Sequence, residues 1–228
     1  MKIKLGSNIA DARGKLNGHV FSKNRYGNYV RNKVTPVNPS TTFQTAVRNR
    51  LALISGLWIL LTVAQRNAWN AAVGSFGKTN IFGDIINPSG KTLHQKLNNE
   101  LLICSEAAIS NPPVPTGVDA LTSMSIAIAA GAATAVMTYA PAIAADHKMK
   151  VYATPGLSAG ISFVKSEYRL IAVIAAADVS PYSFKAAFET RFGSLPAAGQ
   201  KVFVKVIQVN TDTGQAGIGL TASAIVIA

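Results

Sequence analysis

The sequence predicts an α+β chain of two domains. An N-terminal basic arm with a β-hairpin leads into a small helical unit, and an all-β sandwich follows. Three observations predict this. Residues 1–50 hold ten Lys/Arg and one acid, Asp11, so most of the net charge of +12 sits there. Apolar residues then recur at spacings of three and four. From residue 118 the spacing changes to strict alternation, with turn signals between short runs. The chain has 228 residues, 49% of them hydrophobic and 14% charged, enough to bury a core. The boundaries read as 1–39 for the arm with its hairpin, 40–110 for the helical unit, 111–117 for a Pro-rich linker and 118–228 for the sandwich.

The arm comes first. Residues 1–18 have no sustained period and are expected to be extended. Residues 19–23 (HVFSK) and 28–34 (NYVRNKV) alternate apolar and polar. Asn24-Arg25-Tyr26-Gly27 between them supplies a short turn, with glycine to take a positive φ. On the second strand Tyr29 shares a face with Arg31 and Lys33, and Val30 takes the other. Pro36 and Pro39 follow. Each lacks an N–H and restricts its predecessor, so 34–39 is a stiff connector.

Helices follow. Ser40 or Thr41 caps the first. Phe43, Val47, Leu51, Ile54, Trp58 and Leu61 form one helical stripe. Thr62-Val63-Ala64-Gln65 is a capping box that opens a second helix, stopping at Gly74. Residues 74–90 are rich in Gly and Asn and read as a loop. A third helix starts after Ser89, with Leu93, Leu97, Leu101 and Cys104 on its apolar side. The run LALISGLWILLTV, 51–63, is interrupted and too short to span a bilayer, which takes about 20 residues. It reads as a buried helix. Asn111-Pro112-Pro113-Val114-Pro115 makes a semi-rigid linker.

Seven runs then alternate: 123–130, 132–140, 147–155, 166–176, 182–192, 201–209 and 219–228. Seven short strands separated by Gly, Pro, Asn or Asp clusters in about 110 residues is the pattern of an immunoglobulin-like or fibronectin-III-like sandwich. Its core must be held by packing alone, because the chain has one cysteine, Cys104. That lone thiol excludes an internal disulfide and a cysteine zinc site, and reads as a small core residue.

Chemistry is not legible. The three histidines, His19, His94 and His147, share no metal-ligand spacing. His94 reads as a helix-surface residue. Asp146 beside His147 is a poor start for a triad, since neighbours on a strand point to opposite faces. The ten acids show no calcium-loop or paired-acid pattern. Gly90-Lys91-Thr92 ends like a phosphate-binding loop, but the required earlier glycine is Ile85, so a helix N-terminus capped by Ser89 is the simpler reading. No catalytic, cofactor-binding or metal residue is assigned, no cofactor is expected, and the protein is not expected to be an enzyme.

The residues that do stand out are Lys15, Lys23, Arg25, Arg31 and Lys33. With Phe21, Tyr26 and Tyr29 they could contact phosphates and stack on bases, although no nucleic-acid-binding signature matches. An exposed hairpin is also unstable alone and seeks a sheet or helix to lie on. They are therefore assigned to assembly or polyanion contact.

Residues 13–70 resemble a segment of tailed-bacteriophage virion structural proteins, of the capsid-decoration, head-fibre or tail-associated type. Gly18, Tyr26-Gly27, Arg31, Pro36, Asn38-Pro39, Thr41, Gln44, Arg48, Trp58, Thr62, Gln65 and Trp69 carry the resemblance, which covers about a quarter of the chain. The sandwich is similar to Ig-like domains attached to phage capsid and tail proteins. The resemblance implies a non-enzymatic particle component that decorates, cements or links. Its basic arm and helices would anchor it, and its Ig-like domain would project or cement. The expected partners are other virion proteins (capsid, neck or tail subunits) in a homo-oligomer, with possible contact to packaged DNA and none to membrane. No secretory signal is visible, so synthesis in the host cytoplasm and residence in the virion are expected. The alternatives are a nucleic-acid-binding protein using the hairpin and a host-surface adhesin.

Overall fold

A computed structural model of the chain describes residues 3, 6, 9, 11–24, 27–79 and 85–228. The turn residues Arg25 and Tyr26 lie outside the described residues, as do 80–84 of the expected Gly/Asn loop. The protein is mixed α+β; the described residues form antiparallel sheets of three, three and four strands, a further two-stranded pair and four α-helices. It divides into two compact units, Met1–Thr45 and Ala46–Ala228.

The first unit holds β1 (Gly14–Leu16), β2 (His19–Asn24) and β3 (Gly27–Asn32), in that spatial order. The hairpin expected from the sequence is β2–β3. The strand β1 replaces part of the extended arm. It is turned onto β2 by Asn17-Gly18, with Asn17 at φ 48° and Leu16 opposite His19. Asn-Gly between two strands is a strong two-residue hairpin signal, hidden here because β1 is only three residues long.

The second unit contains most of α1 (Thr42–Leu60), then α2 (Val63–Ala72) and α3 (Gly90–Ile103). Thr62 and Gln65 close the capping box before α2, and Ser89 accepts from the Thr92 N–H to cap α3. Gly90 is buried because α3 starts directly against Asn70 of α2, where a side chain would overlap Asn70. Leu61, Trp69, Leu93 and Leu97 form one small core, and the Trp69 indole N–H donates to the Ser110 carbonyl at 2.8 Å. A 3-10 turn (Val73–Phe76) and the two-residue pair β4 (Lys78–Thr79) and β5 (Ile85–Ile86) occupy the expected loop.

The larger core lies between two antiparallel sheets. One has the order β10–β7–β6, with β6 Ser123–Ala129, β7 Thr134–Ala140 and β10 Tyr182–Ser183. The other has the order β12–β11–β8–β9, with β8 His147–Ala153, β9 Arg169–Ala175, β11 Lys201–Asn210 and β12 Leu220–Ile225. Ile128, Met137 and Tyr139 of the first meet Met149, Val151, Val202, Val204 and Val206 of the second. Alternation places Lys201, Phe203 and Lys205 on the opposite face of β11.

One expected strand is corrected. Residues 182–192 pair with β7 only through Tyr182 and Ser183 and then form α4 (Lys185–Phe192). Phe184, Phe188 and Phe192 recur every fourth residue, which is helical spacing, and the first two are buried in the core. Ala186 and Ala187 add helix propensity. Gly193 at φ 92° ends the helix.

Candidate functional site

The register of the small sheet sorts the basic residues. Lys15, Val20 and Arg31 lie in one row across the three strands, and Ser22–Tyr29 is the next pair on that face. Adjacent strands are spaced about 5 Å apart, so the Lys15 and Arg31 backbones are roughly 10 Å apart, with Val20 between them. Lys23 pairs with Asn28 on the other face, which also carries Phe21, Val30, Leu16 and His19. Lys33 follows β3, its N–H donating to the Gly18 carbonyl at 2.7 Å. The structure thus brings Lys15 and Arg31 together and sets Lys23 apart; Arg25 is outside the described residues. Among the described residues up to Thr45, none is buried.

The helix α1 presents the predicted stripe unevenly. Ile54 and Leu61 are buried and Trp58 is half-buried. Val47 and Leu51 of the same stripe are more than half exposed, and Ile59 and Leu60 reach 70% and 81%. The expected buried helix is therefore buried at Ile54 alone, half-buried from Ser55 to Trp58 and exposed again at its C-terminal end. No single helix among the described residues is long and apolar enough to cross a membrane.

The helix α3 and the segment that follows it are fixed to the four-stranded sheet by two ion pairs. The Lys150 ammonium, 4% exposed, lies on the Glu100 carboxylate of α3. Lys148 pairs with Glu106 at 2.6 Å and donates to the Cys104 carbonyl at 2.8 Å. Burial alone would lower the Lys150 pKa, but the hydrogen bond and charge of Glu100 outweigh it and the net direction is upward. Burial pushes the Cys104 thiol up, which disfavours the reactive thiolate. The Pro-rich segment 111–117 lies in this same unit, and Gln215 donates to the Val114 carbonyl at 3.3 Å.

Two histidines depart from expectation. His94 is not on the surface: it is 1% exposed, between Trp58 and Trp69, whose rings stand 5.3 and 5.1 Å away edge-on. Burial lowers its pKa. Its helical neighbour Asn98 is buried too, bonded to both backbone groups of Ile109, because segment 105–110 covers that side of α3. His147 and Asp146 do meet, Nδ1 to Oδ1 at 2.7 Å. Asp146 precedes β8, so strand alternation does not separate them. The hydrogen bond from His147 holds the Asp146 carboxyl below its ordinary range. The His147 Nε2 is buried with no hydrogen-bond partner among the described residues, so no nucleophilic hydroxyl rests on it. No three His, Cys, Asp or Glu side chains converge among the described residues.

Comparison with protein-family models, with curated proteins and with solved structures finds no match to this chain.

Proposed function

We propose that this protein is a non-enzymatic structural component of a tailed-phage particle. It anchors through its basic N-terminal sheet and first helix and projects or cements through its C-terminal sheets. The observation that carries this reading is the basic sheet. A three-stranded sheet without one buried side chain among its described residues gains little from its own packing and gains much from being covered. The exposed Val47, Leu51, Ile59 and Leu60 of α1 add an apolar surface of the kind that other subunits bury. The likeness of residues 13–70 to phage virion proteins supplies the particle.

In the same reading the C-terminal part is an Ig- or fibronectin-III-like domain. Seven strands in two antiparallel sheets around one core support it, with α4 as a departure from a plain sandwich. Partners are other virion subunits and further copies of this chain, and its place is the virion. The test is incorporation. Replacing Lys15, Lys23, Arg25, Arg31 and Lys33 with glutamine abolishes assembly into particles, while the circular dichroism of the remaining chain is kept. Normal incorporation of the neutralised protein would sink the proposal.

A second reading has one observation in its favour: Tyr29 shares a face with Lys15 and Arg31. Cations beside an aromatic suit phosphates and bases. Binding to random DNA that falls with salt would support it.

A further inference from the structure

We propose that the outer face of the four-stranded sheet binds an acidic saccharide. The site is a cleft of ≈ 330 Å³ between loop 162–168 and strands β11 and β12, at the small end of ligand-pocket sizes, which run from about 300 to 1,000 Å³. This inference concerns a different part of the chain from the basic sheet and does not rest on the assembly reading.

The loop is held in place before any ligand arrives. The Arg169 guanidinium donates to the carbonyls of Ser166 and Tyr168 at 2.8 and 3.0 Å. Tyr168, at the end of the loop, and Thr221 of β12 line the cleft together. Thr221 stands directly opposite Lys205 in the β11–β12 register, so the tyrosine, the threonine and the lysine come from adjoining positions.

The chemistry of the walls selects the ligand. Lys165 on the loop and Lys205 on β11 both line the cleft, and no acid lines it. Neither lysine takes part in an ion pair among the described residues. The one carboxylate on the loop, Glu167, lies outside the lining beside the Ser166 hydroxyl, so the two ammonium groups in the lining attract an anion. Phe203 lies under the loop at 5% exposure, although it is on the face away from the core, and Phe163 is 76% exposed on the rim. An exposed aromatic beside a cleft is unusual in a chain that is only 7% aromatic, and it offers a flat apolar face to a sugar ring. Ser162, Tyr168 and Thr221 supply hydroxyls that both donate and accept. A bare phosphate would use the two ammonium groups and leave the aromatic face and the hydroxyls unused. A carboxylate-bearing sugar uses all three.

The experiment is a titration of the full chain, followed by calorimetry and by backbone amide shifts. The probes are N-acetylneuraminic acid, glucuronic acid, glucose, inorganic phosphate and adenosine monophosphate. The expected result is binding of at least one of the two acids, with shifts at Lys165, Tyr168, Lys205 and Thr221. Glucose should bind at least about tenfold more weakly, the worth of one charge-assisted contact. Lys205→Gln and Phe163→Ala should each weaken the acid about five- to tenfold. Phe163 is mostly exposed, so its loss leaves the fold intact, and circular dichroism checks both variants. A chain with Lys15, Lys23, Arg31 and Lys33 changed to glutamine should bind as the parent does. The proposal is overturned if neither acid binds. It is equally overturned if phosphate or adenosine monophosphate binds as tightly as the acids, or if the arm variant, rather than the cleft variants, loses binding.

Discussion

The ammonium of Lys150, on β8, is joined to the carboxylate of Glu100, on α3, fifty positions earlier in the chain. The two partners are unequally buried, with side-chain exposures of 4% for Lys150 and 19% for Glu100. Removing Glu100 strands a charge in the more buried position, so Glu100→Ala should cost about 3 kcal/mol in denaturant unfolding. Lys150→Met leaves the less buried carboxylate to find water and should cost less. The double variant Glu100→Leu/Lys150→Met should lie within about 1 kcal/mol of the parent, because no charge is left unpaired. Equal costs for the two single variants would contradict this account.

The turn between β11 and β12 is pressed onto α3 at Gly214. Its φ is 69°, and a Cβ there would overlap the Leu97 carbonyl. Around it, the Asn210 side-chain oxygen accepts from the N–H groups of Asp212 and Thr213 at 3.0 and 2.9 Å, so the turn cannot swing aside cheaply. Gly214→Ala should lower stability by about 2 kcal/mol or more, from the left-handed backbone and the overlap together. Gly160→Ala, where the backbone is ordinary and nothing lies within 4 Å, is the control and should be nearly silent. Thermal unfolding of the two variants side by side checks this.

His94 makes stability depend on pH. Its folded-state pKa is lowered by burial, whereas in the unfolded chain the ring protonates near ~6.5. Above that pH both states are neutral and stability is whole. As pH falls below it, the unfolded chain takes a proton that the folded chain resists, and stability is lost toward the depressed folded value. The slope can reach about 1.4 kcal/mol per pH unit. The lowered carboxyl of Asp146 acts at more acid pH: its contribution is present above the unfolded value of about 3.9 and is lost as pH falls through the folded one. Between about pH 7 and about pH 5, His94→Leu should therefore flatten the curve of unfolding free energy against pH. An unchanged slope in that variant would rule out His94 as its source.

The local signals in the sequence were legible wherever one residue type does one job. Thr62 and Gln65 form the expected capping box, Ser89 caps α3, and Cys104 is buried beside the Leu93–Leu97–Leu101 stripe. What was hidden depended on partners distant in sequence. His94 and Asn98 look like surface residues until Trp58, Trp69 and Ile109 close over them. The helix α4 resembles a strand in sequence because aromatic and polar residues alternate loosely there; the spacing of Phe184, Phe188 and Phe192 at every fourth residue is the better signal. In the basic sheet, alternation already puts Tyr29 and Arg31 on one face, whereas Lys33, expected with them, follows the end of β3. The link from Lys15 to Arg31 needed β1, whose three residues are too few to show alternation, so the Asn17-Gly18 turn signal had no legible strand before it.

That link divides the basic residues into two groups with different expected effects. Lys15 and Arg31 flank Val20 on one face, and Lys23 lies on the other with Phe21, Val30 and Leu16. If the sheet is covered by a neighbouring subunit, its apolar face is the one that gains most from burial, and Lys23 lies at the rim of that contact. Lys15→Gln/Arg31→Gln then acts on the polar face, while Phe21→Ser acts on the covered one. In mass-resolved size measurements at low and high salt, Phe21→Ser should shift the oligomer toward smaller species at both salt levels. Lys15→Gln/Arg31→Gln should leave oligomer size unchanged at high salt. If the same sheet grips DNA instead, the ranking inverts: the Lys15/Arg31 variant lowers the dependence of log K on log salt by about two, one for each phosphate no longer neutralised, and Phe21→Ser leaves that slope alone. The face whose loss matters therefore decides between a subunit neighbour and a phosphate backbone.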